Sequence, residues 1–169
     1  KKNRKSILVG YSFGALMSNI INSKFKNNEL LKKVLLISNS CNGNVTDDAR
    51  KIYEKMSNVK SEEEQLNLIY KLLFQDFSIT NVIKEKIKNN QLSPQIQQSI
   101  GSAIGSWIGK NEKICSLDNK VKTFVIHGDK DIVYPIENNS KITRVKNTGH
   151  GIIFQDLESI NNWIEKSLK

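Results

Sequence analysis

Ile7-Leu8-Val9-Gly10-Tyr11-Ser12-Phe13-Gly14-Ala15-Leu16-Met17 is the stretch on which the fold turns. Its first half is a short apolar run ending on glycine, which predicts a strand buried on both faces. From Ala15 the apolar residues take helical spacing: Ala15, Leu16 and Met17, then Ile20, Ile21 and Phe25. A strand that breaks sharply into a helix therefore carries a serine at its corner, within Gly10-Tyr11-Ser12-Phe13-Gly14. Such a turn lifts the hydroxyl clear of the sheet edge, and residues two places away on either side pass so close that side chains would collide. The Phe13 N–H sits at the helix N-terminus, where amides lack intrahelical acceptors and favour negative charge. Ser12 is thus a candidate nucleophile and the Phe13 N–H a candidate oxyanion donor.

Outward from this corner, Val34-Leu35-Leu36-Ile37 predicts a second buried strand, reached by a right-handed strand–helix–strand crossover. From Asn39 to about Lys120 the pattern is helical only. Ser61-Glu62-Glu63-Glu64 forms a capping box, after which Leu66, Ile69, Tyr70 and Leu73 share one face. Thr80 to Lys88 predicts a short helix. Ser93 caps and Pro94 opens another, with Ile96, Ile100, Ile104, Trp107 and Ile108 on its face. Strands return at Thr123-Phe124-Val125-Ile126 and over Lys141 to Lys146. Asp156 to Leu168 predicts a closing amphipathic helix with Leu157, Ile160, Trp163 and Ile164 inward. The expected architecture is α/β, a parallel sheet covered by helices with an all-helical cap insertion. It divides into a first core part (residues 1–39), the insertion (40–120) and a second core part (121–169).

Composition narrows the function classes. Hydrophobic residues make up 38% and charged residues 25%, an ordinary balance for a soluble domain. The net charge of +9 raises nucleic acid as a partner, but the lysines are scattered among acids, as in Lys84-Glu85-Lys86. No basic stripe interleaved with aromatics accompanies them, so a solvated surface is the reading, with neither nucleic acid nor membrane as partner. No run of 18 apolar residues exists. Lys1-Lys2-Asn3-Arg4-Lys5 looks like the start of an export signal, yet no hydrophobic signal core follows. Cys41 and Cys115 match no zinc spacing and read as reduced, small apolar residues of a cytoplasmic protein.

A serine needs a base and an orienting acid. There are two histidines. His150 lies in Asn147-Thr148-Gly149-His150-Gly151, just past the last strand, where a parallel sheet presents its ligand edge; it is the candidate base. His127 continues a buried strand and reads as structural, its ring packed and hydrogen-bonded. The turn after that strand offers Asp129 and Asp131. Asp129 is expected to fix the turn through a local side-chain bond, which leaves Asp131 as the acid. The alternative position after the second strand, Ser38-Asn39-Ser40-Cys41, has no carboxylate.

Gly-Tyr-Ser-Phe-Gly, Val-Leu-Leu-Ile-Ser, Val-Ile-His-Gly-Asp-Lys-Asp-Ile-Val-Tyr-Pro and Asn-Thr-Gly-His together resemble the α/β-hydrolase superfamily, in the group with a helical cap. The resemblance covers essentially the whole chain, in the order Ser, Asp, His. It implies a serine hydrolase of esterase or thioesterase type, with Ser12 as nucleophile, Asp131 as acid, His150 as base and Phe13 in the oxyanion hole. It implies no metal or organic cofactor and a small-molecule ester or thioester substrate. Tyr11 and Trp107 are the candidate substrate-binding residues. Tyr70, Phe74 and Phe77 are further candidates for the pocket lining, with simple cap core as the plainer reading. Proteins of this family carry strands ahead of the elbow and a second oxyanion donor on an earlier loop. The resemblance therefore implies an N-terminal segment or separate chain that supplies them. The other reading is a non-catalytic or degenerate hydrolase-like binding protein. The family also places a helix between Pro135 and the last strand, where Ile136 to Ser140 leave room for a turn only.

Overall fold

The computed structural model of the chain describes residues 5–24, 29–39, 44–75, 79–90, 96, 99, 121–134 and 141–169. Among these, β1 (Ser6–Tyr11) leads through Ser12 into α1 (Phe13–Lys24), followed by β2 (Leu31–Ile37). Three helices follow: α2 (Asp47–Asn58), α3 (Glu62–Phe74) and α4 (Asn81–Asn89). The chain then returns to β3 (Lys122–Gly128) and β4 (Ile142–Val145), the short α5 (Ile152–Gln155) and α6 (Leu157–Leu168). The strands form one sheet in the order β1-β2-β3-β4, with every pair parallel. This is the expected parallel sheet covered by helices.

The alternation of the central strands explains the layers. Val34 and Leu36 of β2 face α1 and join Ala15, Val121 and Val125. Leu35 and Ile37 face the other way and join Ile126, Val145, Ile152, Ile160 and Trp163 under α5 and α6. Both faces are thus covered, which is why these strands read as unbroken apolar runs. On β1 the coverage fails: Ile7 is 43% and Val9 53% exposed, on the face that holds Tyr11.

Several helical faces differ from expectation. The buried residues of α1 are Ala15, Leu16, Ser18, Asn19 and Asn22, while Ile21 is exposed. Small and polar side chains let this helix lie close to the sheet: Ser18 Oγ donates to Gly14 O at 2.8 Å, and Asn22 Nδ2 donates to Thr123 Oγ1 at 3.3 Å. On α6, Ile160 and Trp163 are buried, but Leu157 at the first turn is exposed. Asp156 caps that helix, accepting from Ser159 N at 2.9 Å. Apolar spacing alone does not mark the helix α2. Its Thr46 cap, which accepts from Ala49 N, and its first-turn Asp47 and Asp48 are the signals that were there to use. Of the helix expected from Ser93, only Ile96 and Ser99 are described; both are helical, and Ile96 is exposed rather than inward. Cys41, Phe77, Trp107, Cys115 and Ile136 to Ser140 lie outside the described residues. No helix of the described residues is long and apolar enough to cross a membrane.

Candidate active site

Three strand ends meet at one edge of the sheet. β1 ends at Tyr11, and Ser12 then takes φ 54°, the left-handed region that a residue with a side chain seldom enters. Two bonds hold it there: Ser12 N donates to Ile37 O of β2 at 2.9 Å, and Ser12 O accepts from Ala15 N at 2.9 Å. β2 ends the same way. Ser38, φ 49°, donates its N–H to Ile126 O of β3 at 3.0 Å. Each strand end is thereby stitched to its neighbour.

The elbow needs a glycine at position 10. A Cβ there would overlap the Gly14 carbonyl oxygen and lie 2.5 Å from Ser18 Oγ. At Gly14 the expected collision is absent, because a Cβ would meet nothing within 4 Å. The crowding is one-sided: the strand runs against the helix's first turn, while Gly14 faces open space.

From this corner a line of short contacts runs inward. Ser12 Oγ lies 2.7 Å from His150 Nε2, and His150 Nδ1 lies 2.8 Å from Asp131 Oδ2. The structure thus brings Ser12, His150 and Asp131 together. Phe13 opens α1 beside the serine, so its N–H belongs to the first-turn amides that have no acceptor within the helix.

Asp131 is anchored on both oxygens. Oδ1 accepts from Val133 N at 2.8 Å and Tyr134 N at 3.1 Å. Burial works to raise its carboxyl group, but the contacts of His127 and His150 outweigh it and hold the group well below the ordinary carboxylate range. Asp129 behaves otherwise than expected. It ties the turn through its backbone, donating N–H to Val145 O at 2.9 Å, while its Oδ1 is buried without a hydrogen-bond partner.

His150 is held by its backbone as well as its ring. Its carbonyl accepts from Tyr11 Oη at 3.0 Å and from Ser38 Oγ at 3.1 Å. The loop beneath is fixed by the helical insertion: Gly151 N donates to Leu73 O of α3 at 2.7 Å. Phe74, fully buried, lies under Gly151 and packs edge-on against Phe154 with ring centroids 6.1 Å apart. The insertion also grips the acid loop. Thr46 Oγ1 donates to Ile132 O, Gln75 Nε2 to Lys130 O, and Thr46 N to Val133 O at 3.1 Å. Val45, Ala49, Ile52 and Leu72 pack on Val133 and Tyr134.

Two phenol rings flank the imidazole. The Tyr11 ring centroid is 5.7 Å from that of His150, and the Tyr134 centroid is 5.3 Å away in an edge-on arrangement. Burial, then the charge of Asp131, pushes the Tyr11 phenol up, so it stays a neutral donor. Burial pushes the Tyr134 phenol up, so it too stays neutral. Tyr11, singled out beforehand for substrate binding, has its hydroxyl engaged by the His150 carbonyl. Tyr70 donates to Lys84 O at 3.2 Å, on an exposed part of the insertion. Tyr134 and Ser38 were missed as site residues. The sequence signal for both was their place immediately after a strand end or beside the candidate acid.

No family model and no curated protein matches the sequence. Solved structures do match in fold. The meta-cleavage product hydrolase CumD of Pseudomonas fluorescens IP01 superposes with a TM-score of 0.69 at 16% identity, over 99% of this chain and 65% of that one. The chain has a partial α/β-hydrolase fold. A membrane phospholipase A described as a bacterial virulence factor matches this α/β-hydrolase fold with a TM-score of 0.69 at 15% identity, over 99% and 57% of the two chains. An esterase of Thermogutta terrifontis matches with 0.65 at 18% identity, over 98% and 66%. The chain thus spans 57–66% of the length of these three α/β-hydrolase-fold proteins.

Proposed function

We propose that this chain holds the reacting groups of a serine hydrolase that cleaves a carboxylic ester, thioester or related acyl bond through an acyl-enzyme. The observation that carries the reading is the continuous line from Ser12 Oγ to His150 Nε2 (2.7 Å) and from His150 Nδ1 to Asp131 Oδ2 (2.8 Å). Ser12 Oγ attacks the substrate carbonyl while Nε2 takes its proton; Asp131 holds the tautomer with the proton on Nδ1 and stabilises the imidazolium. The Phe13 N–H donates to the developing oxyanion. His150 then returns the proton to the leaving group, and water, activated by the same nitrogen, releases the acyl group. The names of the similar structures, an esterase and a phospholipase among them, support an ester as the substrate class.

The β1 edge bears on how the activity is assembled. Ile7 and Val9 are exposed beside the nucleophile, and β1 is paired on one side only among the described residues. An edge of this kind is a template for another strand. In this reading further polypeptide pairs with β1, covers Ile7 and Val9, and brings the second oxyanion donor. The same exposed edge favours a second reading, in which the chain alone is a binding protein without turnover. Hydrolysis of short p-nitrophenyl esters, measured for this chain and for any longer form, separates them. Turnover dependent on Ser12 in the longer form supports the hydrolase; none in either form overturns it in favour of binding.

A further inference from the structure

The buried group left unused by this chemistry is His127. It is the last residue but one of β3, is 1% exposed, and places Nε2 2.9 Å from Asp131 Oδ2 across an i, i+4 turn. Among the described residues that nitrogen makes no well-aligned hydrogen bond, and the Asp131 carboxylate oxygen is the acceptor it lies against.

A carboxylate offers about four acceptor positions. On Asp131 two are taken by the amides of Val133 and Tyr134 on Oδ1 and one by the imidazole of His150 on Oδ2, and His127 Nε2 lies against that same Oδ2 at 2.9 Å. The two amides tie the carboxylate to its own loop. His127 adds something different, because it sits on the very oxygen that faces His150. A ring there fixes the carboxylate's rotation about its last torsion, and hence the direction in which Oδ2 points. An N–H lying against Oδ2 also draws electron density from it. A proton arriving on His150 then stays on the imidazole and does not pass to the acid.

Resting on the hydrolase reading above, we infer that His127 is a positioning residue of the site: through Asp131 Oδ2 it sets the orientation and tautomer of His150. It touches no reacting atom. Its sequence context is consistent with this role. The chain turns directly after it at Gly128, and Asp131 N returns to Gly128 O at 3.3 Å, bringing the acid back over the ring.

The test compares His127→Gln, His127→Asn and His127→Phe in the same chain. Glutamine can carry an N–H to the place of Nε2; asparagine reaches only as far as Nδ1, and phenylalanine supplies none. Two readouts are needed. One is the proton NMR signal of the His150 Nδ1–H, which reports the bond to Asp131 whether or not the protein turns over substrate. The other is the rate at which a fluorophosphonate labels Ser12. The expected result is that His127→Gln keeps the wild-type downfield signal and labelling rate. His127→Asn and His127→Phe should shift or broaden the signal and slow labelling about tenfold or more, the scale on which outer hydrogen bonds to metal-bound histidines act. An NMR change without labelling of the wild type, in this chain or in any longer form, would leave the positioning role standing and overturn the hydrolase reading. Equal behaviour of His127→Gln and His127→Asn, or a folded His127→Phe with unchanged signal, would overturn the positioning role. If His127→Phe does not fold, the Gln–Asn comparison decides.

Discussion

The Ser38 hydroxyl donates to the His150 carbonyl at 3.1 Å, across 112 positions of sequence, and Tyr11 donates to the same oxygen at 3.0 Å. The ends of two neighbouring strands thus hold the backbone of the one residue whose ring must meet Ser12. With one donor left the carbonyl stays satisfied; with none it is an orphan acceptor in a buried place. Ser38→Ala and Tyr11→Phe should each cost roughly 0.5–1.5 kcal/mol of stability. The double variant should slow fluorophosphonate labelling of Ser12 by more than the product of the two single effects. Denaturant titration and labelling kinetics on the four proteins of this cycle check it; strict additivity in both measurements would show that the shared carbonyl does not matter.

The two glycines of the elbow should part company. Gly10→Ala forces a methyl group into the Gly14 carbonyl and against Ser18, which overpacking puts at about 1–3 kcal/mol of lost stability. Gly14→Ala meets open space inside a helix and should gain up to about 1 kcal/mol. Thermal unfolding of the two variants should move the melting temperature in opposite directions.

Acid should act on the fold through Asp131. Its carboxyl group is held below its unfolded value, so the stabilisation it brings is complete above the ordinary carboxylate range and fades as pH falls through and below that range. Asp131→Asn removes the charge and should lower stability at pH 7 by on the order of 2 kcal/mol. The loss should shrink between pH 5 and pH 2, because only the wild type still has that stabilisation to lose. Stability measured by urea unfolding across this range should therefore converge for the two proteins. A constant gap would contradict the assignment of the shift to this carboxylate.

Phe74 joins the helical insertion to the His150 loop, fully buried beneath Gly151 and against Phe154. Phe74→Ala should cost about 3–5 kcal/mol. In the fraction that remains folded it should slow labelling of Ser12, since the loop loses its floor. Phe74→Leu, which fills most of the space, should lose less in both respects.

How much of this was readable in advance depended on whether the signal was local. The strand–turn–helix at Ser12 and the four strands could be read, because apolar runs and glycines act over a few residues. That Ser12, Asp131 and His150 would meet could be expected because each follows a strand end, and parallel strands gather those ends at one edge. The burial of α1 could not be read. Its sheet-facing side is set by close approach to β1 and β2, so Ser18, Asn19 and Asn22 went inside while Ile21 stayed out. The same limit explains His127. Its strand position marked it as buried, but only the return of the turn placed Asp131 on its ring. Gly14 shows the reverse error: a rule about motif neighbours assigned crowding to both glycines when only Gly10 meets another backbone.

The central claim is that Ser12 is activated by His150 over 2.7 Å. Mass spectrometry of the folded protein after reaction with a fluorophosphonate tests it most directly. One adduct is expected, on the peptide that holds Ser12, lost in Ser12→Ala and strongly reduced in His150→Ala. A folded protein that takes no label on Ser12, in this chain and in any longer form, would contradict it. So would labelling of Ser12 at the same rate without His150.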